Sequence, residues 1–122
     1  MQLLSAIDYP KGQAEALKCY GFALVRLSKN EEALKCLNEA LSIFESIDDL
    51  KGVAVVYEYL GIIQRNWGNF SNSLELLKKS LKLSRQTRFL EAEGTTLYQT
   101  GVTYKYLGNY ERALEYYHQC LY

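Results

Sequence analysis

Apolar side chains recur along this chain at intervals of three and four residues, the spacing that places them on one face of a helix. One such segment runs from about residue 52 to 67, and a second runs from about 71 to 87, where charged side chains fill positions between the leucines. The sole proline, Pro10, is predicted to fall between helices, where its missing N–H does no harm. The pattern therefore predicts an all-α protein without strands.

The pattern repeats with a period of forty residues. The positions in register are Gly21, Gly61 and Gly101; Leu34, Leu74 and Leu114; Leu41, Leu81 and Leu121; and Leu27, Trp67 and Leu107. Each period is predicted to hold two helices, because the glycine of the phrases WGNF (67–70) and LGNY (107–110) can adopt the left-handed conformation that ends a helix. The asparagine after each glycine is predicted to cap the following helix.

Small residues at fixed places predict how the paired helices pack. Gly21, Gly61 and Gly101 fall in the middle of first helices, where each costs roughly 1 kcal/mol relative to alanine, so we expect another backbone to pass close by. The small residues expected to face them are Ala33, Ser73 and Ala113. One helical hairpin cannot bury both of its apolar faces, so we expect the hairpins to stack into a solenoid.

The recurring residues resemble the tetratricopeptide repeat, which has a large residue, Leu-Gly, a Gly-Asn-Tyr type of turn, and then small, large and small residues. The central copy matches at Tyr57, Leu60, Gly61, Trp67, Gly68, Asn69, Phe70, Ser73, Leu77 and Ser80. The third copy matches at Leu97, Gly101, Tyr104, Leu107, Gly108, Asn109, Tyr110, Ala113, Tyr117 and Cys120, and the first at Leu17, Tyr20, Gly21, Leu24, Leu27, Ala33, Leu37 and Ala40. The resemblance implies a right-handed α-solenoid of about three helix-turn-helix repeats.

The chain departs from the family pattern in a few places. Asn30 replaces the turn aromatic, Gln64 replaces a large residue of the first helix, and no proline closes a repeat. The period is forty residues rather than the usual 34 or so, and we expect the extra residues to lengthen the second helix and its exit loop. This 40-residue variant resembles the repeats of bacterial signalling and scaffold proteins.

The expected organisation is a single repeat domain. Its predicted parts are the tail of a preceding repeat (1–11), repeat 1 (12–51), repeat 2 (52–91) and a truncated repeat 3 (92–122). The phrase SAIDYPKGQA near the start aligns with ESIDDLKGVA between repeats 1 and 2, so residues 1–8 are predicted to end a preceding second helix. We therefore expect the chain to be an excised piece of a longer array.

Composition and charge limit the possible partners and compartments. Fourteen basic and fourteen acidic side chains give a formal net charge of zero, so neither nucleic acid nor an anionic membrane is expected as a partner. Cys19, Cys36 and Cys120 are odd in number and form no CxxC pair, which argues against disulfides or zinc and favours the cytoplasm. No apolar run approaches the roughly eighteen residues of a membrane span.

The side chains that could carry catalysis have simpler interpretations. The only histidine, His118, occupies a polar repeat position, and the acidic pairs at 31–32 and 48–49 lie at predicted helix ends. We therefore expect no enzymatic activity, no cofactor and no metal. A basic run is interpreted as a solvated outer face, with phosphate contact as the alternative. It comprises Lys78, Lys79, Lys82, Arg85 and Arg88.

The family resemblance implies that first helices line a concave face on which ligands lie. The corresponding stripe nominates a groove of Lys18, Phe22, Val25, Arg26, Val55, Glu58, Tyr59, Ile62, Arg65, Tyr98, Val102, Lys105 and Tyr106, with Thr95 on the same stripe and Gln99 at its margin. Its apolar row (Phe22, Ile62 and Val102) either contacts a ligand or covers a neighbouring helix. The asparagines by which some relatives grip chaperone tails are absent here, since Phe22, Tyr59 and Ile62 stand in their places.

The preferred functional hypothesis is a non-enzymatic module that binds a protein or peptide in this groove. The segment bound would be extended or helical, with apolar and acidic residues. One alternative is a sensory or regulatory segment of a larger signalling enzyme, with a cyclase or kinase output domain outside this sequence. Another is homo-oligomerisation through uncapped repeat ends.

Overall fold

The computed structural model describes residues 9–121, and every element within that range is an α-helix. The helices are α1 (Pro10–Arg26), α2 (Asn30–Ser46), α3 (Leu50–Asn66), α4 (Phe70–Gln86), α5 (Leu90–Tyr106) and α6 (Tyr110–Leu121). The predicted all-α fold is therefore confirmed. The predicted helix end at residues 1–8 lies outside the described residues.

The helices differ from their predicted bounds at the ends. Pro10 is the first residue of α1 and does not fall between helices, and this position suits proline because the first N–H of a helix has no intrahelical acceptor. Helices α1 to α5 all have 17 residues, and three residues separate each helix from the next. The expected long exit loop is therefore wrong, because it has the same three residues as the turn inside a repeat, and the second helix is no longer than the first.

The turns inside repeats 2 and 3 follow the predicted chemistry in part. Gly68 and Gly108 have φ values of +82° and +81°, in the left-handed region that closes a helix. Asn109 accepts a hydrogen bond from the backbone N–H of Arg112 at 3.2 Å, so it caps α6 as predicted. Asn69 makes no side-chain cap on α4; its amide instead donates to Gln64 Oε1 at 3.0 Å.

The mid-helix glycines permit a close approach of the second helix of each repeat. A β-carbon at Gly61 would lie 3.0 Å from the Leu77 side chain and 3.3 Å from the Ser73 carbonyl oxygen. At Gly101 it would lie 2.6 Å from the Tyr117 ring. The predicted tight packing is confirmed, although the nearest atoms belong to side chains rather than to the backbone.

The six helices stack as a solenoid with two layers. The first helices contact one another, α1 with α3 and α3 with α5, whereas within the described chain no α-carbon of α4 lies within 8 Å of α6. The first helices therefore form the close layer, and the second helices diverge. The core between the layers holds large side chains without solvent exposure: Leu37, Phe44, Val56, Ile63 and Leu77.

Candidate functional site

A cavity of about 470 Å³ lies on the first-helix layer, lined by residues of α1, of α5 and of α3, which packs against both. Its volume falls within the range of roughly 300–1,000 Å³ typical of ligand pockets. The residues that line it are Phe22, Val55, Glu58, Tyr59, Ile62, Phe89, Glu91, Ala92, Gly94, Thr95, Tyr98 and Gln99. Three successive repeats thus contribute to one pocket, which forms only because the first helices pack side by side.

Aromatic rings form much of the apolar wall of this pocket. The rings of Phe22 and Tyr59 lie 4.7 Å apart with an interplanar angle of 32°, so they pack on each other across the α1–α3 contact. Tyr98 stands at the α5 side with 53% of its surface exposed, and its ring lies 6.0 Å from that of Tyr117 on α6. The pocket therefore offers aromatic surface that an apolar side chain of a ligand can cover.

Glu58 is the one buried carboxylate among the described residues, with only 5% of its surface exposed. Its Oε1 accepts a hydrogen bond from the Thr95 hydroxyl at 3.0 Å, which links α3 to α5. Burial raises the pKa of Glu58 to about 7, and the hydrogen bond from Thr95 and the positive charge of Arg65 offset only part of this effect. The pocket floor therefore carries a carboxyl group that changes charge near neutral pH.

Arg65 joins α3 to α5 beside the pocket. Its Nη1 donates to the backbone oxygen of Gln99 at 3.2 Å and to Gln99 Oε1 at 2.8 Å. Its guanidinium lies 5.9 Å from the centre of the Tyr106 ring, within the range of a cation–π contact. The Nη1 group of Arg65 is therefore already engaged in the contact between α3 and α5. Burial lowers the pKa of Arg65.

The structure divides the predicted groove into two sets. The residues of the first set line the pocket, and they are Phe22, Val55, Glu58, Tyr59, Ile62 and Tyr98. Those that lie outside its lining are Lys18, Val25, Arg26, Arg65, Val102, Lys105 and Tyr106. Val25, Ile62 and Val102 are only 7–8% exposed, so most of their surface serves the packing of neighbouring helices. Lys18 bonds to Glu15 at 3.0 Å on its own helix.

The prediction missed pocket residues at the start of α5. These residues are Phe89, Glu91, Ala92 and Gly94. Glu91 lies one helical turn before Thr95 on the same stripe, so extending the stripe by four residues would have found it. The stripe stopped too early because repeat 3 was expected to begin at residue 92, whereas α5 begins at Leu90.

Cysteine and metal chemistry have little support in the described part of the chain. Burial is the main cause that raises the pKa of Cys36 and of Cys120, which disfavours the reactive thiolate form. Residues 9–121 contain no group of three histidine, cysteine or acidic side chains arranged to hold a metal ion. None of the helices described combines the length and the apolar character that crossing a bilayer requires.

Comparisons with known proteins agree with the repeat geometry. A model of the tetratricopeptide repeat matches residues 12–86, and a second model described in the same words matches residues 95–122. Among solved structures, the chain is similar to the TPR domain of the Arabidopsis protein FLU, with a TM-score of 0.77, 19% sequence identity, and coverage of 91% of this chain and 93% of that one. No curated protein matches the sequence significantly. Repeats of this kind generally mediate protein–protein interaction and are typically not enzymes.

Proposed function

We propose that this chain, which belongs to the tetratricopeptide repeat family, binds a peptide segment of a partner protein in the pocket between α1, α3 and α5. The observation that carries the proposal is the combination of a concave cavity with exposed aromatic surface from Tyr98 and half-buried aromatic surface from Phe22, Tyr59 and Phe89. Exposed aromatic residues around a pocket are the residues that commonly dominate binding energy at interfaces.

The apolar part of the ligand is expected to be an aromatic or branched aliphatic side chain. Such a side chain contributes roughly 1.5–3 kcal/mol when it is fully transferred from water to an apolar site. A peptide can reach the pocket as an extended strand or as one face of a helix, as in other groove-binding modes. The aromatic side chains of the pocket supply most of the apolar contact in this account, because Ile62 is only 8% exposed and Val102 lies outside the lining.

The polar parts of the ligand are expected to differ along the groove. Near the pocket, Glu58 and Glu91 favour hydrogen-bond donors on the peptide. At the opposite end of the first helices, the exposed side chains of Arg26 and Lys105 favour an acidic residue. Arg65 contributes less there, because its Nη1 already bonds to Gln99.

Replacing Tyr98 by alanine is expected to weaken peptide binding by about tenfold or more. The reason is that Tyr98 lines the pocket and exposes 53% of its surface, so its ring is available to a ligand and its loss leaves the core intact. The measurement uses peptides selected from a random displayed library on the purified chain, with affinities obtained by fluorescence anisotropy for the parent chain and for the Tyr98→Ala variant.

Tyr110→Ala is the matched control for this prediction. Tyr110 is 65% exposed, but it lies at the start of α6 and does not line the pocket, so its truncation should change the affinity by less than about twofold. Equal losses in both variants would place the peptide on another surface and would remove the pocket from the account. The alternative of a sensory segment with an attached output enzyme has no support among the described residues.

A further inference from the structure

A second groove lies on the other layer, between α4 and α6. Because no α-carbon of α4 comes within 8 Å of α6 in the described chain, the space between them stays open and α5 forms its floor. The cavity measures about 760 Å³. Its lining consists of Ser71, Leu74, Glu75, Lys78, Leu81, Lys82, Arg85, Thr100, Tyr104, Arg112 and Tyr116.

The lining of this groove is strongly basic. Four cations, Lys78, Lys82, Arg85 and Arg112, accompany a single carboxylate, Glu75. Both lysines belong to α4 and are exposed, one turn apart on the same face of the helix. Lys78 and Lys82 therefore give the α4 side of the groove a positive surface, although the whole chain has a formal net charge of zero.

Two of the cations already have acidic neighbours on the protein. Arg85 pairs with Glu93 at 3.1 Å, and Arg112 pairs with Glu115 at 3.3 Å. The Arg85, Arg112 and Glu115 side chains are about half exposed, and ion pairs in such positions contribute little because water and salt screen them. A ligand carboxylate can therefore compete for the arginines, and the lysines remain its main anchors.

Apolar surface lies between the charges. The rings of Tyr104 and Tyr116 are stacked, with centroids 5.5 Å apart and an interplanar angle of 15°, and Arg112 lies 5.4 Å from the first ring and 5.8 Å from the second. Leu74 and Leu81 are half-buried on the α4 side. The groove thus combines an apolar floor with a basic rim, which suits a segment that carries both apolar and acidic side chains.

The equivalent groove one repeat earlier lacks this charge. Forty residues before the four cations, the chain has Asn38, Ser42, Glu45 and Asn72 in place of Lys78, Lys82, Arg85 and Arg112. The repeat geometry is the same in both places, since second helices diverge throughout. The basic character is therefore a local property of the α4–α6 groove and does not follow from the repeat pattern.

We infer that the α4–α6 groove binds an acidic peptide segment, separately from the pocket on the first-helix layer. Charge complementarity identifies the occupant, because exposed lysines beside leucines and tyrosines match a segment of carboxylates and apolar residues. Nucleic acid fits less well, since a chain of zero net charge lacks the broad positive field that draws phosphate backbones. The acidic side chains contact Lys78 and Lys82, and an apolar side chain of the segment covers Leu81 and Tyr104.

The test uses a fluorescein-labelled peptide of alternating glutamate and leucine, together with a copy in which glutamine replaces every glutamate. We expect the acidic peptide to bind the chain and to lose affinity by about tenfold or more in the double variant Lys78→Glu/Lys82→Glu. Binding should also weaken as salt rises, because the contacts are exposed charges. Both lysines are exposed, so the double variant is expected to stay folded, which circular dichroism checks.

Lys35→Glu supplies the matched control, because Lys35 is an exposed lysine on α2, on the same layer but outside the groove. It should change the affinity by less than about twofold. The inference is overturned if the double variant binds as tightly as the parent chain, if the glutamine peptide binds equally well, or if the acidic peptide does not bind at all. Two further outcomes would also overturn it. Tighter binding of a single-stranded oligonucleotide through the same lysines would assign the groove to nucleic acid. A parent chain that is a dimer and a double variant that is a monomer would assign it to a second copy of the chain.

Discussion

Leu77→Ala is expected to lower the free energy of unfolding by about 2–5 kcal/mol. Leu77 has no solvent exposure. A β-carbon added at Gly61 would lie only 3.0 Å from the Leu77 side chain, which shows that this side chain fills the tight contact between α3 and α4. Truncation removes apolar contacts and leaves a cavity that the close-packed backbone around Gly61 cannot fill by relaxing. Urea denaturation followed by circular dichroism measures the loss.

Leu90→Ala is the control for this truncation because it makes the same chemical change at an exposed site. Leu90 is 76% exposed, so its replacement should change the free energy of unfolding by less than about 0.5 kcal/mol. If both variants lost the same stability, the packing of second helices against the mid-helix glycines would not be what holds the repeat together.

Glu58→Gln is expected to remove a pH dependence of stability between about pH 4.5 and 7. Burial raises the pKa of Glu58 from an ordinary 4.5 to about 7, so the folded chain holds the proton more tightly than the unfolded chain does. The stability contributed by the protonated carboxyl is fully present below pH 4.5 and is lost as the pH rises through about 7. At about 1.4 kcal/mol per pKa unit, this pKa shift corresponds to a loss of roughly 3 kcal/mol in the free energy of unfolding as the pH rises.

The measurement is the difference between the free energies of unfolding of the parent chain and of Glu58→Gln across this pH range. Glutamine keeps the size of the side chain and an oxygen that accepts the Thr95 hydrogen bond, but it has no charge to bury. Other titrating groups are shared by the two proteins and cancel in the difference. The parent chain should become less stable relative to the variant as the pH rises, and a constant difference would mean that Glu58 ionises as an exposed carboxyl does.

The repeat architecture was predictable because the signals for it are local. Helical spacing and the turn glycines depend on neighbours along the chain, and the forty-residue period is the recurrence of these local patterns. The bounds of the six described helices agree with the predicted ones to within a few residues. The predicted helix starts differ from the observed ones. Pro10 and Leu90 each lie two residues before the predicted start of a repeat, because the connectors carry no single residue type that marks the boundary.

The candidate pocket was predictable only in part. The stripe on the first helices identified Phe22, Tyr59 and Tyr98, since helical geometry fixes which residues share a face. It did not separate residues that line the pocket from those, such as Val102, that are buried outside it. That distinction depends on how closely consecutive first helices approach, which is a property of tertiary packing.

The basic groove illustrates the same limit. The lysines of α4 were visible in the sequence, but Tyr104 and Arg112 come from α5 and α6, more than twenty residues farther along the chain. These side chains line one cavity because the second helices diverge and leave an open space between α4 and α6. The local pattern of each helix contains no direct signal of this proximity.

The proposed pocket is tested most directly by mapping a selected peptide on the isotope-labelled chain by NMR. The account predicts that the largest chemical-shift changes on titration fall on the backbone amides of the pocket residues, with Tyr59, Thr95 and Tyr98 among them. Changes confined to α6, to the α4–α6 groove or to the ends of the solenoid, with the amides of α3 and α5 unmoved, would contradict it.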